Sequence, residues 1–232
     1  MMTQSVVSFV VPAHNEEPLL AATPQAIHSA AAGCGIEYEI IVADDASTDR
    51  TTHVAADLGA RVVSVQHRQI SATRNSGARA ASGDVLVFVD ADTVINIDVL
   101  RRALDFVAGG AVGGGAAVRF DGRIPFYARV LLPALTAMMR WMRLAAGCFV
   151  FCTRRAFESA GGFDERLFGA EEIALSIALK KHGRFLILRE TVVTSGRKLR
   201  TYSGLEVLGI MMRGALSGGK MLKRREQMGL WY

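Results

Sequence analysis

Apolar runs alternating with helix-period segments organise the first 95 residues. "VVSFVV", ending at Pro12, "YEIIVADD" (38–45), "RVVSVQ" (61–66) and "VLVFV" (85–89) predict strands, the longer ones covered on both faces. Between them lie an Ala-rich segment to about Gly33, "STDRTTHVAADLG" and "SATRNSGARAASG". These predict helices; Ser47 or Thr48 is the expected N-cap of the second, Gly59 its stop, and Gly83 the close of the third. Strands separated by helices of this length mean parallel βαβ units, hence a three-layer α/β half.

The second half is more mixed. "VLRRALDFVAGG" predicts a helix, "AVGGGAAVRF" a strand, and 125–143 a mostly apolar helix. "GCFVFCTRRAFESAGGFDE" predicts a strand, a short helix capped by Thr153 and a Gly-Gly turn. Residues 170–182 follow as a helix, "RFLIL" and "TVVTS" as two strands, and 203–217 as a last helix. No internal repeat or long linker appears. One domain over 1–232 is expected: a nucleotide-binding half to about 95, an acceptor half over 96–200, and a basic tail over 201–232.

Composition narrows the class. Half of the 232 residues are hydrophobic, which excludes disorder and suffices for a sizeable core. Cys34, Cys148 and Cys152 fit neither a disulfide framework nor a paired-Cys zinc site, so buried thiols in a reducing compartment are expected. No basic segment precedes the first apolar run, and Pro133, Arg140 and Arg143 interrupt the best membrane-span candidate, 130–152. A cytoplasmic location follows as an expectation. The net charge of +5 is uneven: residues 197–225 hold eight Lys or Arg against Glu206 alone, so the remainder sums to about −2. The basicity belongs to the tail, and no nucleic-acid partner is expected.

Acidic residues collect where strands end. Glu16 and Glu17 follow the first strand, Asp44 and Asp45 end the second, and Asp90 and Asp92 end "VLVFV". In a parallel sheet these ends share one edge, where open α/β sheets place ligands. Gathered carboxylates repel unless a cation or hydrogen-bond donors offset them. A hard divalent ion completed by substrate phosphates is one solution; solvated loop ends and self-satisfied turns are the plain alternative. Two nucleotide motifs are excluded. "PAHNEE" stands where a dinucleotide fingerprint needs glycines, and "GALSGGKM" has Met221 where a P-loop needs a hydroxyl.

"VVPAHNEE", "IIVADDASTDRT", "ATRNSGARAASGD", "VFVDADT" and "GGFDERLFGAEEIALS" occur in the order seen in family-2-type glycosyltransferases, and the chain resembles that family over residues 5–182. The resemblance implies the GT-A, or nucleotide-diphospho-sugar transferase, fold: a three-layer α/β/α sandwich with a mostly parallel central sheet. It implies a nucleotide-sugar donor, a divalent metal (Mn or Mg), and inversion at the anomeric carbon. Pro12, Ala13 and Glu17 match positions lining the nucleoside, Glu17 facing the ribose. Asp45 matches the acid that accepts from the base, and Arg74 lies in the motif flanking the nucleotide. Asp90 matches the first acid of the metal motif, near the ribose, and Asp92 the direct metal ligand. Glu172, second of a Glu-Glu pair where relatives have Glu-Asp, takes the place of the catalytic base.

Where many relatives carry a late metal-binding His, this chain has Thr194 and Ser195; Arg197 or Lys198 could neutralise the diphosphate instead. His14 reads as pocket wall. A carbohydrate or a lipid-linked acceptor is expected. Alternatives are a polyprenyl-phosphate glycosyl transferase of the same fold and a non-catalytic sugar-nucleotide-binding protein. In the tail, Leu205, Leu208, Met212 and Leu216 recur at helical steps beside basic residues, which suits either packing on the sheet with a solvated basic end or peripheral contact with the inner face of an anionic membrane.

Overall fold

A computed structural model describes residues 6–197 and 200. In chain order the elements are β1 (Val7–Ala13), α1 (Glu17–Leu20), α2 (Ala22–Cys34), β2 (Tyr38–Asp45), α3 (Thr51–Asp57), β3 (Arg61–Val65), α4 (Ile70–Ala80), β4 (Val85–Val89) and β5 (Thr93–Val94). They continue with α5 (Ile97–Ala108), β6 (Gly113–Phe120), α6 (Phe126–Met142), β7 (Phe149–Thr153), α7 (Arg154–Ser159), α8 (Glu171–Leu179) and β8 (Phe185–Thr194). The strands form one sheet in the order β3-β2-β1-β4-β7-β6-β8-β5. β1 to β4 pair in parallel, β6 and β8 run the same way, and only β7 and β5 are reversed. This is the mostly parallel sheet expected.

Alternation along the strands builds the three layers. Phe9, Val11, Val87 and Val89 face one side, packed with Ile27 of α2 and Val99 and Leu100 of α5. Val10, Leu86 and Phe88 face the other, with Ala78 of α4, Phe157 of α7 and Leu175 and Leu179 of α8. Each Val, Leu, Ile or Phe side chain among them, removed fully from water, contributes about 1.5–3 kcal/mol before the entropy of ordering is counted. α4 lies close on β1 because Gly77 has no side chain: a Cβ there would sit 2.4 Å from Val10 Cγ1. That contact sets the height of Thr73 and Arg74 over the strand ends.

Four details differ from the sequence expectation. Ser47 and Thr48 do not cap α3, whose N-cap is Arg50; they bind Asn15 instead, Thr48 N donating to Asn15 Oδ1 at 2.8 Å. The helix expected to stop at Gly33 runs to Cys34 and ends on Gly35, whose φ of 64° suits glycine. "RFLIL" and "TVVTS" are one strand, β8, because Arg189 and Glu190 continue the extended backbone with their side chains outside the core. β5 is too short to show a period. The Thr153 cap is present, its hydroxyl accepting from Ala156 N at 3.2 Å. Lys198 and the helix expected over 203–217 lie outside the described residues.

Candidate functional site

The carboxyl ends of β1, β2 and β4 meet α4 from one side and the N-terminus of α8 from the other. A cleft of about 340 Å³ runs over the strand ends, lined by Pro12, Ala13, Glu16, Asp45, Thr73 and Arg197 among others. A second cavity of about 380 Å³ lies beside it, under α6 and against Glu171 and Glu172. The two share Ile70, Asp90 and Asp92. The paired acids at the end of β4 therefore stand at the junction of two chambers.

Arg74 ties this junction together. Its guanidinium donates to Asp90 Oδ1 at 2.7 Å, to Glu171 Oε1 at 2.6 Å and to the carbonyl of Gly147 at 3.0 Å. Its side chain is only 2% exposed and stacks 5.2 Å from the Phe163 ring centroid. Burial opposes its charge, but Asp90, Glu171 and Glu172 more than compensate and hold it protonated.

α8 begins with both its acids. Ala170 precedes them in the left-handed region at φ 57°, which costs a non-glycine residue about 1–2 kcal/mol. The helix N-terminus then favours the negative charge on Glu171 and Glu172. Their environments differ. Glu171 is neutralised by Arg74, whereas no ion pair to the Glu172 carboxylate is found among the described residues, and its own backbone N–H is a hydrogen-bond donor that favours its charged form. Burial first, then the neighbouring Glu171 charge, pushes the Glu172 carboxyl up to about 8, although Arg74 pulls the other way. Gly147 makes room for it: a Cβ there would stand 3.1 Å from Glu172 Oε1.

At the other chamber, Asp92 Oδ1 accepts from the Thr194 hydroxyl at 3.2 Å, and Thr194 accepts from Thr93 at 3.0 Å. Arg197 donates to Glu16 Oε1 and lies 3.8 Å from Asp92 Oδ2. Burial, then the charges of Asp90 and Glu16, push the Asp92 carboxyl up to about 6; Arg197 and Thr194 moderate this. Glu16 Oε2 is buried without a hydrogen-bond partner. An acidic junction with one orphaned oxygen has the donor chemistry for a hard cation. Among the described residues no three His, Cys, Asp or Glu groups form a cage by themselves.

The residues expected from sequence are thus mostly together. Pro12, Ala13, Asp45, Asp90 and Asp92 line the cleft, with His14 as wall; Arg74, Glu172 and the acid pair line the second cavity. Glu17 is not among the lining residues: its Oε2 accepts from Arg50 N at 2.9 Å, while Glu16 faces the cleft. Asp45 is heavily engaged. Oδ1 accepts from His67 N and Arg68 N at 2.7 and 2.8 Å, and Oδ2 from Gln69 N and Thr73 Oγ1 at 3.0 and 2.8 Å. Burial pushes its carboxyl up, but these bonds outweigh it and hold it below the usual range. Gly147 and the Arg74–Glu171 pairing carry no sequence signal of their own, because each depends on contacts distant in the chain; Glu16 is visible as a strand-end acid, but not that it, and not Glu17, lines the cleft.

The chain spans under half the length of the curated relatives that it matches. It is 27% identical over 229 residues to validoxylamine A glucosyltransferase of Streptomyces hygroscopicus subsp. limoneus, covering 77% of this chain and 48% of that protein. It is 29% identical over 134 residues to a dolichol-phosphate mannosyltransferase of Pyrococcus furiosus, covering 54% and 38%. The fold is similar to that of a mannosyltransferase from Pyrobaculum calidifontis solved with GDP-Man and Mn2+, with TM-score 0.67, 23% identity, and 93% and 63% of the two chains covered. Glucosyl-3-phosphoglycerate synthase from Mycobacterium tuberculosis, solved with Mn2+ and UDP, gives TM-score 0.64 at 24% identity over 91% and 77%. These neighbours share the GT-A type of fold. The family model described as glycosyl transferase family 2 matches residues 8–158, nearly two thirds of the sequence. The chain belongs to glycosyl transferase family 2.

Proposed function

We propose that this family 2 chain is a glycosyltransferase that moves a sugar from a nucleotide-diphosphate donor to an acceptor hydroxyl with inversion at the anomeric carbon. The observation that carries the reading is Glu172: a buried carboxylate without an ion-pair partner, in a cavity that joins the strand-end cleft at Asp90 and Asp92.

The division of labour follows from the two chambers. The cleft beside Pro12, Ala13 and Glu16 takes the nucleoside, and the junction takes the diphosphate. Asp90 and Asp92 are the side chains that would hold a divalent ion there. When bound, the ion would act as a Lewis acid on the departing diphosphate. Two neighbours of the same fold were solved with Mn2+ and a nucleotide or nucleotide sugar, which supports this reading. Arg197, already beside Glu16 and Asp92, supplies a second positive charge for the phosphates.

The acceptor enters the other cavity. Its hydroxyl oxygen attacks the anomeric carbon from the face opposite the diphosphate. The carbon–oxygen bond to the phosphate breaks, its electron pair leaves with the diphosphate, and the hydroxyl proton passes to Glu172. The raised proton affinity of Glu172 makes it a strong base once ionised. Arg74 holds Glu171 and Asp90 in place on either side. A phosphate acceptor would bring a second negative charge against Glu171 and Glu172, so an uncharged hydroxyl fits the cavity better.

A thermal-shift screen tests donor binding. A nucleoside diphosphate that binds only the folded chain raises the melting midpoint. The account expects UDP or GDP to do so with Mn2+ present and far less in EDTA. A shift from neither nucleotide, with or without Mn2+, would contradict it.

A further inference from the structure

α6 carries two apolar faces, yet only one of them is covered. Its inner face, with Leu132, Leu135 and Met139, lines the cavity against Glu172. Its outer face carries Phe126, Val130, Leu131, Met138, Trp141 and Met142, from 44% to 84% exposed. Of the eight large hydrophobic side chains exposed among the described residues, these are six. A helix with two apolar faces is ordinarily enclosed by protein or by lipid. An apolar face of this extent on a folded chain marks an interaction surface.

The surrounding charge selects the partner. Arg123, Arg129, Arg140 and Arg143 sit on or beside α6, and no Asp or Glu occurs between Asp121 and Glu158. None of the four forms an ion pair with a carboxylate among the described residues. Cations flanking an apolar face, with a tryptophan near the helix end, complement anionic headgroups over acyl chains. Each basic residue close to such a surface adds about 1 kcal/mol, a contribution that salt screens. No described helix is long and apolar enough to cross a membrane, so the fit is to lying in the interface.

We infer that the outer face of α6 docks on an anionic membrane surface, with Trp141 and Phe126 in the headgroup–acyl boundary. α6 is a different segment of the sequence from the basic tail. It has a consequence for the acceptor that rests on the transfer reading above: a molecule drawn from the bilayer would meet the aliphatic inner face of the same helix on its way to Glu172. The docking itself does not depend on that chemistry.

Trp141 reports the contact directly, because Trp231 is the only other tryptophan. The full chain carrying Trp231→Phe is mixed with vesicles of phosphatidylcholine, alone or with phosphatidylglycerol, with and without brominated acyl chains. The inference expects a blue shift of Trp141 emission and loss of most of it to bromine in the mixed vesicles, reversed by salt. Arg129→Glu with Arg140→Glu, shown folded by circular dichroism, should lose the quenching. Unquenched emission in protein that co-sediments with vesicles would mean that the contact is made elsewhere, and would overturn the inference. So would failure to bind, or an emission shift that follows protein concentration and not lipid, since that marks a second copy on this face. Quenching without any donor turnover would sink the transfer reading and leave the docking standing.

Discussion

Arg74 and Glu171 meet at 2.6 Å across 97 positions of sequence, and that single pair separates the roles of two adjacent acids. With Glu171 neutralised, Glu172 faces the cavity as a carboxylate without an ion-pair partner. The proposed chemistry depends on this asymmetry.

Arg74→Met should strongly destabilise the fold. It strands the carboxylates of Asp90 and Glu171, and breaking a buried pair from one side costs about 3–5 kcal/mol. Urea melts of wild type and variant check this: an unchanged midpoint would mean that the buried pair contributes nothing to stability.

Glu172→Gln keeps the shape and removes the proton acceptor, so turnover should fall by about 10²- to 10⁴-fold with donor affinity little changed. Glu171→Gln should be milder in turnover but should destabilise, because it leaves Arg74 one carboxylate short. Gly147→Ala should resemble a weak Glu172 variant, since the new methyl presses on Glu172 Oε1. Steady-state kinetics and melting curves together decide. A dead Glu171→Gln beside an active Glu172→Gln would exchange their roles.

The pH dependence follows from Glu172. Its carboxyl lies near 8 in the fold against an ordinary 4.5, so the folded chain holds a proton that the unfolded chain releases. The stability that this contributes is fully present below about 4.5 and is lost as pH rises through about 8. Activity has the opposite sense, because the base works ionised: kcat/KM should climb toward pH 8, well above the usual carboxylate range. Glu172→Gln should flatten that stretch of both profiles. An activity limb near pH 4 to 5 in the wild type would contradict the assignment.

Asp92 and Arg197 predict opposite effects on two ligands. Asp92→Asn removes a ligand charge and should abolish Mn2+-dependent binding of nucleoside diphosphates while the melt in buffer alone barely moves. Arg197→Ala frees Glu16 and Asp92 from a competing cation, so Mn2+ alone should bind more tightly and the nucleoside diphosphate more weakly. In the wild type, Mn2+ binding should weaken as pH falls through about 6, where Asp92 takes up a proton. Calorimetry with each ligand separately resolves these signs; parallel changes in both affinities would remove Arg197 from the phosphate site.

Much of this architecture is legible in the chain. Val85 to Val89 declare a strand buried on both faces, so Asp90 and Asp92 must emerge at its carboxyl end. The same logic brings Asp45 and Glu16 to one edge. What the pattern leaves out is decided by distant contacts. Whether Glu16 or Glu17 turns into the cleft depends on Arg50 N, which claims Glu17. Ser47 and Thr48 look like helix caps because capping is local, yet Asn15, more than thirty residues away, binds them. The doubly apolar helical period of α6 is visible, but not which of its faces the sheet covers.

Turnover of a nucleotide sugar tests the central claim most directly. Wild type and Glu172→Gln are each given a panel of UDP- and GDP-sugars with Mn2+, and nucleoside diphosphate release is followed. The account predicts that the wild type releases the diphosphate from at least one donor and that EDTA abolishes this. It also predicts that Glu172→Gln binds the same donor with similar affinity and releases about 10²-fold less or lower. Release at the wild-type rate by Glu172→Gln would contradict it.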